Sequence, residues 1–362
     1  MKQKYLTRLT ELLKKEGMDA ALIAPSEEME FLIGFSPRIC ERFQSLIVKA
    51  DGTYFYICNL LTVDEMQEVL GADIKVYGWF DGDGYMDTVK QAFEDFDLMG
   101  KTIGVNSSER ACIILDIMKG LDVEFVNGKP LLEDVRIIKD EEDRANLRMA
   151  GKITEEVFFE TLEFIKPGVT EKEIANFIND GFLKRGAGLG FTLICAGPNG
   201  AYPHYGGDQG VVQEKDVVML DFGCIYNGMC SDMTRTVFVG GITEEERKMY
   251  DYVLEAVLAA EALVKEGAYI PEVDKAARDI IDSSGYGKTF VTRLGHGLGY
   301  SCHEAPDIKQ SNKRNLEKGM VFSIEPGIYR IGEYGIRIED ILYVTEDGFE
   351  NFNTATKDII VI

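Results

Sequence analysis

The sequence predicts two domains, an α/β domain followed by an α+β domain. Its 362 residues suit two domains at roughly 150 residues each. Short apolar runs typical of strands alternate with helical patterns as far as residue 130, and long amphipathic helices with longer strand-forming runs occupy the remainder. The stretch from Asn127 to Asp143 is polar and charged, so we place the junction there and expect domains over 1–130 and 131–362.

In the first domain, the patterns predict helices packed on a mixed sheet. Leu6, Leu9 and Leu13 recur at helical spacing, and Gly17 follows where a C-terminal cap belongs. Strands are predicted over 20–24, 45–50, 53–58 (joined to the preceding strand by an Asp51-Gly52 turn), 74–77, 103–105 and 123–126. Helices are predicted over 62–70, opened by a Thr62-x-x-Glu65 capping box, over 85–97 and over 107–118.

The second domain is predicted to place four long helices on a largely antiparallel sheet. The first helix carries Leu147 and closes at Pro167-Gly168, and capping boxes at Thr170 and Thr243 open the second and third. The third is expected to end at Gly267, and Pro271 opens the fourth. Strands are predicted over 217–225, 229–239, 320–324 and 336–344.

Composition excludes several classes of function. The formal net charge of −23 argues against a nucleic-acid partner, because phosphate binding needs a cationic face. The seven cysteines include no C-x-x-C pair, which argues against a disulfide framework or a zinc knuckle and favours a reducing compartment. No signal-peptide core and no apolar run of roughly 18 residues occurs, so we expect a cytoplasmic protein without a membrane partner.

Two acidic side chains are predicted to meet on one hairpin. Asn227-Gly228 is a preferred two-residue turn, and it would pair Tyr226 with Met229. In that register Asp221 and Asp232 become diagonal neighbours on one face. If they are buried they would repel each other unless a divalent cation lay between them; the alternative is that both face solvent on an edge ribbon.

Two further acids and three histidines occur in similar settings. Glu325 ends an apolar run before Pro326-Gly327, which stops the strand, and alternation along another predicted strand puts Arg337 and Glu339 on one face. A surface ladder of ion pairs would explain Arg337 and Glu339, but not Glu325. The three histidines of the chain lie in glycine- or proline-rich segments of the second domain, at His204, His296 and His303.

Counting these side chains predicts a metal centre. Four carboxylates balance two divalent cations, and His296 adds a neutral nitrogen ligand. Oxygen ligands with one imidazole suit Mn²⁺, Co²⁺, Fe²⁺ or Zn²⁺, of which we expect Mn²⁺. Two such ions about 3.5–4 Å apart are a recurrent device for hydrolysis, holding a bridging hydroxide that attacks a carbonyl.

The second domain resembles the pita-bread metallopeptidases, which include aminopeptidase P, prolidase and methionine aminopeptidase. Four motifs carry the resemblance in order: L-D-F-G…S-D-M-T-R-T, G-H-G-L-G…H-E-A-P, I-E-P-G-I-Y and G-I-R-I-E-D. The added N-terminal domain is similar to that of the Xaa-Pro-cleaving branch and of creatinase. The resemblance therefore implies a creatinase-type α/β domain followed by an α+β pita-bread catalytic domain.

The resemblance also implies a role for each matching residue. The implied metal ligands are Asp221, Asp232, His296, Glu325 and Glu339, with Asp232 and Glu339 bridging. His204 and His303 would contact substrate, and Glu325 would also take and return the proton of the attacking water. Tyr329 and Arg337 would orient a bridging carboxylate and contact substrate.

These roles predict an enzyme that hydrolyses the Xaa-Pro bond of a peptide substrate, and we expect it to be a homodimer. Dipeptidase and aminopeptidase activities both stay open. Two departures from the family concern the substrate: Thr292 replaces a common histidine, and Tyr300 replaces a small or aliphatic residue. The alternatives are a metal-dependent hydrolase or lyase acting on a small non-peptide substrate, which Thr292 favours, and a non-catalytic binding protein, against which the five ligands count.

Overall fold

The computed structural model describes residues 1–362, which divide into two compact units, Met1–Arg136 and Ile137–Ile362. Each unit has a buried core of its own, formed in the first by residues such as Leu22, Ile47 and Phe55, and in the second by two clusters described below. The structure contains no helix whose length and apolar character would let it span a bilayer.

The first unit is a mixed α/β domain, as the sequence predicts. Its helices are α1 (Gln3–Glu16), α2 (Glu27–Ile33), α3 (Val63–Leu70), α4 (Met86–Asp95), α5 (Ala111–Gly120) and α6 (Lys129–Arg136). Its strands are β1 (Ala20–Ile23), β2 (Ser45–Lys49), β3 (Tyr54–Asn59), β4 (Val76–Trp79), β5 (Thr102–Val105) and β6 (Glu124–Asn127). They form one sheet in the order β4-β3-β2-β1-β5-β6, with β1–β2 and β2–β3 antiparallel and the other pairs parallel.

The first unit corrects three local predictions. Thr62 does not cap α3; a 3₁₀ turn precedes that helix, and the Asn59 side chain accepts a hydrogen bond from Leu61 N. Helix α2 was not predicted because it is short, although Ser26 caps it by accepting from Met29 N. Helix α6 was not predicted either; it lies in the polar stretch where we place the domain junction.

The second unit combines long helices with three sheets. Its helices are α7 (Glu141–Phe164), α8 (Glu171–Lys184), α9 (Glu244–Glu261) and α10 (Ile270–Ser283). Its strands are β7 (Gly188–Ala196), β8 (Val217–Tyr226), β9 (Met229–Cys230), β10 (Met233–Phe238), β11 (Gly295–Gly297), β12 (Glu304–Ile308), β13 (Val321–Ile324), β14 (Gly327–Arg330), β15 (Tyr334–Arg337), β16 (Asp340–Val344), β17 (Phe349–Asn351) and β18 (Ile360–Val361).

Instead of one sheet, the strands form two large sheets and a ribbon. The first sheet has the order β18-β10-β8-β7 with β9 paired to β8, the second has the order β12-β11-β13-β16-β17, and β14 pairs with β15. All pairs are antiparallel except β10 with β18. Helices α7 and α8 cover the first sheet through residues such as Val157, Phe182 and Phe222, while α9 and α10 share a core with the second through Val253 and Phe322.

The ends of the second unit's helices test the capping predictions. The boxes at Thr170 and Thr243 are confirmed, and Asp140 with Asp143 forms a further box at α7 that we did not predict. Helix α9 ends at Glu261 rather than continuing to Gly267.

Candidate metal centre

One cavity of about 550 Å³ in the second unit collects nearly all of the predicted site residues. Its walls include His204, Asp221, Asp232, His296, His303, Glu325, Arg337 and Glu339. Tyr329 does not line it but is buried and accepts a hydrogen bond from Arg337 Nη1 at 3.0 Å. Residues from four separate segments of the chain therefore meet around one space.

The hairpin of β8 and β10 keeps the predicted register. Asn227 and Gly228 adopt positive φ angles of 47° and 79°, as a tight hairpin turn requires. Tyr226 pairs with Met229, and beyond the break at Ser231 the same register sets Thr234 opposite Asp221.

The chain approaches itself closely where the hairpin is interrupted. A Cβ atom at Gly223 would lie 1.8 Å from the Ser231 carbonyl oxygen, so only glycine fits there. The approach places Asp232 on the cavity wall beside Asp221, and the two residues are only 2 % and 9 % exposed. The alternative in which both acids face solvent is wrong.

His296 reaches the acids from the second sheet. Its Nδ1 lies 3.1 Å from the Gly297 carbonyl oxygen, which assigns the proton to Nδ1 and leaves the Nε2 lone pair free. Nε2 lies 3.3 Å from Glu325 Oε1 and 3.7 Å from Asp232 Oδ2. An imidazole held in this way presents the nitrogen that a metal ligand needs.

Ser323 in β13 ties His296 to Glu325. Its hydroxyl accepts from His296 N at 3.0 Å and donates to Glu325 Oε1 at 3.1 Å. A Cβ at Gly295 would lie 1.8 Å from the Ser323 carbonyl oxygen, so this strand approach also depends on a glycine. Glu325 thus sits just beyond β13, at the point where the sequence predicts that the strand stops.

Arg337 and Glu339 do not form a surface ladder. The predicted strand 336–344 breaks at Ile338 and Glu339, so Arg337 ends β15 and Glu339 lies before β16. Both side chains are buried. The Arg337 guanidinium instead donates through Nη2 to Asp221 Oδ2 and through Nε to Thr234 Oγ1 at 3.0 Å, and Thr234 donates to Glu339 Oε2 at 2.6 Å.

The four carboxylates of this cavity outnumber the cationic side chains that line it, Arg293 and Arg337. Burial, followed by the charges of Glu339, Asp221 and Glu325, raises the pKa of Asp232 well above its ordinary value. Burial and the same mutual repulsion raise the pKa of Glu339, and burial raises that of Glu325. Such shifts mark a place where negative charge is concentrated without compensation.

Unpartnered oxygens test whether metal ions fit. Asp221 Oδ1, Asp232 Oδ1 and Glu339 Oε1 are buried with no hydrogen-bond partner in the protein. Ligand atoms of Asp232, His296 and Glu339 all lie within 4.8 Å of one another. Buried acceptors of this kind are costly unless something binds them, so the donor set fits divalent cations.

His204 and His303 lie at the exposed side of the cavity. The two ring centroids are 6.5 Å apart, and the His303 ring lies edge-on to the His296 ring at 4.1 Å. Desolvation by the surrounding wall, together with the neighbouring His296 ring, lowers the pKa of His303 to about 4. His303 is therefore a neutral hydrogen-bonding group near pH 7.

The two departures from the family pattern occupy different places. Thr292 lines the cavity, and its hydroxyl is buried without a partner, while Arg278 donates to its carbonyl oxygen at 3.1 Å. Tyr300 does not line the cavity; its hydroxyl donates to Asp143 Oδ1 at 2.6 Å. Only Thr292 is placed where it could meet a substrate.

Sequence reasoning missed several wall residues. Phe191 and Leu193 lie on β7, a strand that we did not predict, and pair with Gly223 and Asp221. Leu189, Phe191 and Leu193 do alternate with Gly190 and Thr192, which is the period-2 signal that could have revealed this strand. Arg293 and Cys302 complete the wall, and neither carried a local signal.

Comparison with known proteins identifies relatives of the whole chain. It is 34 % identical to the Xaa-Pro dipeptidase of Lactobacillus helveticus, over 99 % of this chain and 98 % of that protein. The dipeptidase PepE from Mycobacterium ulcerans superimposes with a TM-score of 0.94 at 31 % identity, covering 99 % of this chain and 97 % of the other. The X-Pro aminopeptidase from Thermotoga maritima superimposes with a TM-score of 0.84 at 31 % identity, covering 99 % of each chain.

Two family models divide the chain between them. The Creatinase/Prolidase N-terminal domain matches residues 6–138, and Metallopeptidase family M24 matches residues 145–346. The resemblance stated from the motifs is thereby confirmed, as is the fold class of a creatinase-type α/β domain followed by a pita-bread domain. The chain belongs to metallopeptidase family M24.

Proposed function

We propose that the protein hydrolyses the Xaa-Pro peptide bond with two divalent metal ions bound in this cavity. The observation that carries the proposal is the set of four carboxylates that line one cavity with His296, three of them buried and each of those three with an oxygen left unpartnered. Two dications would neutralise the four negative charges and satisfy those oxygens. Mn²⁺ is the ion that we propose first, with Co²⁺, Zn²⁺ and Fe²⁺ compatible with the same ligands.

Five residues would hold the ions. Asp221, Asp232, His296, Glu325 and Glu339 all present side chains to the cavity, and Asp232 and Glu339 are proposed to bridge. Arg337 supports this arrangement because it holds Asp221 directly and Glu339 through Thr234. When bound, the ions supply a water molecule of lowered pKa and a positive charge beside the scissile carbonyl.

Glu325 is the proposed general acid and base. It is half-buried, and the hydrogen bond from Ser323 fixes one of its oxygens. Burial raises its pKa in the metal-free protein, and a carboxyl group at this position can accept a proton from water and return it. Its carboxylate lines the cavity 3.3 Å from His296 Nε2, a place that suits proton transfer from the attacking water to the leaving amine.

The two outer histidines would act on the substrate. His303 is neutral near pH 7 and can donate a hydrogen bond to the carbonyl oxygen as negative charge develops there. His204 stands across from it, within reach of the same bound peptide. Tyr329 and Arg337 would keep the carboxylates oriented, and Arg337 also reaches the cavity.

Dipeptides are the first substrates to test. Two of the relatives described above carry the name dipeptidase, and one the name aminopeptidase. The Mn²⁺-loaded protein should be assayed with Xaa-Pro, Xaa-Pro-Yaa and longer peptides, and with Xaa-Ala controls. Hydrolysis of Xaa-Pro dipeptides alone supports a dipeptidase, release of the first residue from longer peptides supports an aminopeptidase, and equal rates on the Xaa-Ala controls contradict the proposed specificity.

A second candidate rests on Thr292. Its hydroxyl is neutral and unpartnered in the cavity wall, where the family commonly has a histidine. Threonine in place of that histidine would suit a metal-dependent hydrolase or lyase of the same fold that acts on a small non-peptide substrate. Absence of peptide hydrolysis by a protein that binds two metal ions would favour this candidate.

A further inference from the structure

A buried carboxylate behind the cavity wall closes the loop that carries His204. Glu171 lies at the start of α8 and is 1 % exposed. Its Oε1 accepts from Ala196 N and from Asn199 Nδ2, and its Oε2 accepts from Gly210 N, all at 2.8 Å. One side chain therefore binds both ends of the loop, and His204 lies in the middle of it.

The backbone at the start of α8 holds the same loop, residues 197–210, which we call the histidine loop. Glu171 N donates to the Gly210 carbonyl oxygen at 2.8 Å, and Lys172 N donates to the Asp208 carbonyl oxygen at 3.1 Å. A Cβ at Gly210 would lie 2.5 Å from Glu171 Cδ, so only glycine lets the loop come this close to the carboxyl group. Compact loops whose two ends lie together in this way frequently carry functional residues.

The middle of the histidine loop reaches the candidate metal centre. Arg337, which also holds Asp221, donates through Nη1 to the Pro203 carbonyl oxygen at 3.2 Å. His204 follows directly, lines the cavity and is itself exposed. The place of an exposed ring depends on the backbone that carries it, and here Arg337 fixes that backbone in the middle while Glu171 fixes it at both ends.

We propose that Glu171 is a positioning residue for hydrolysis, which acts through His204 by holding the two ends of the histidine loop. The inference rests on the proposed function, in which His204 contacts the bound peptide. The buried carboxylate is satisfied by three N–H donors only while the loop is closed, and leaving them unmade would be costly. The closed loop and the carboxylate therefore stabilise each other.

Glu171→Gln tests the proposal with almost no change in side-chain size. Whichever way the amide is turned, its nitrogen would face at least one of the three N–H donors, and two donors cannot bond each other. In the Mn²⁺-loaded protein, kcat/KM on an Xaa-Pro peptide should fall by about ten- to a hundredfold, because a displacement of about 1 Å at a substrate contact can cost on the order of a hundredfold. The metal content should stay that of the unmodified protein, because no ligand has changed.

A double variant separates positioning from a general loss of structure. In a His204→Ala background, Glu171→Gln should lower kcat/KM further by less than about twofold, because the contact that it supports is already gone. Losses that multiply fully in the double variant would show that Glu171 does not act through His204 and would overturn the proposal. Glu173→Gln is the matched control: its carboxylate accepts from Thr170 N and Oγ1 at the start of the same helix, away from the loop, and kcat/KM should stay unchanged.

A second measurement needs no activity. The chain has three histidines, so NMR spectra of the metal-free protein labelled on histidine contain three ring signals, which His204→Ala and His296→Ala assign. Glu171→Gln, and Asn199→Ala, which removes a donor from the loop side, should each shift or broaden the His204 signal and leave that of His296 in place. If Glu171→Gln does not fold, Asn199→Ala carries both measurements. An unchanged His204 signal overturns the proposal even if activity falls, whereas a shifted signal in a protein without peptidase activity supports the closure of the loop by Glu171 and counts only against the proposed function.

Discussion

Two buried charge networks lie side by side in the second unit, and they differ in how their charges balance. The candidate metal centre sets four carboxylates against the guanidinium groups of Arg337 and Arg293, and three of its carboxylate oxygens have no partner. The neighbouring network sets Arg235 and Lys357 against Asp340 and Glu261, with charges in equal number. The two networks are consecutive in sequence, since Glu339 belongs to the first and Asp340 to the second.

The balanced network is fully hydrogen bonded. Arg235 is 1 % exposed and donates to Asp340 Oδ1 at 2.7 Å, to the Glu339 carbonyl oxygen at 2.7 Å, and to three further carbonyl oxygens. Lys357 pairs with both Asp340 and Glu261. Burial alone therefore does not mark a functional charge; what marks it is an excess of one sign together with acceptors that nothing in the protein satisfies.

The largest expected effect concerns metal content. Asp232→Ala and Glu339→Ala should each lose most of both Mn²⁺ ions and with them all measurable peptidase activity, because each residue is proposed to bridge. Elemental analysis after dialysis gives the ratio of metal to protein, which should be close to two for the unmodified chain. Asp340→Asn, from the balanced network, should keep its metal in the fraction that folds; full metal retention in both alanine variants would show that the ligands are elsewhere.

Glu325→Gln should lower kcat by several orders of magnitude while the chain stays folded. The amide keeps the size of the carboxyl but cannot accept a proton from water, so the proton-transfer step loses its base. Steady-state assays with matched circular dichroism spectra check this. Near-normal turnover would mean that another group, outside the proposed set, is the base.

His303→Ala should lower kcat by about 10²–10³ with a smaller effect on KM and unchanged metal content. The loss of one donor to the developing negative charge accounts for a change of that size. His296→Ala is the matched control, since it removes the ring beside it and should deplete the metal. Equal metal contents in the two variants would contradict the division between a ligand histidine and a substrate-facing one.

In the metal-free protein, replacing one carboxylate by its amide should change the stability of the fold in opposite directions in the two networks. Asp340→Asn should lower the unfolding free energy by about 3–5 kcal/mol, because it leaves Arg235 buried with an uncompensated charge. Asp232→Asn should instead raise the melting temperature, because it relieves repulsion from Glu339 and Asp221. Thermal melts after chelator treatment compare them, and a loss of stability in both variants would mean that Asp232 already has a stabilising partner.

The smallest expected effect is a pH dependence of the metal-free protein. Burial and mutual repulsion raise the pKa of Asp232 and of Glu339 in the folded state above the unfolded value of about 4. The folded chain therefore holds protons that the unfolded chain releases, so this contribution to stability is complete below about pH 4 and is lost as the pH rises towards the raised values. The melting temperature of the metal-free protein should therefore fall as the pH rises above about 4.

The double variant Asp232→Asn/Glu339→Gln serves as the control for this slope, because other carboxyl groups of the chain also titrate. It should show a shallower dependence on pH than the unmodified metal-free protein, and so should the unmodified protein loaded with Mn²⁺. Identical slopes in all three samples would show that Asp232 and Glu339 do not cause the pH dependence of the melting temperature.

Local sequence determined much of the fold and the identity of the candidate ligands. The Asn227-Gly228 turn set the register that brings Asp221 and Asp232 together, because a two-residue loop fixes strand pairing on either side of it. The capping boxes at Thr170 and Thr243 fixed two helix starts, because they satisfy backbone donors within one turn.

Tertiary structure alone decided which partner each charge takes. Alternation along one strand suggested that Arg337 accompanies Glu339, but the chain breaks between them and Arg337 pairs with Asp221, more than a hundred residues away in sequence. Likewise, no local pattern separates Glu339 from Asp340, although one lines the cavity and the other neutralises Arg235. The reason is physical: turns and caps are satisfied by atoms a few residues apart, whereas a buried charge is satisfied only by whatever the folded sheets place beside it.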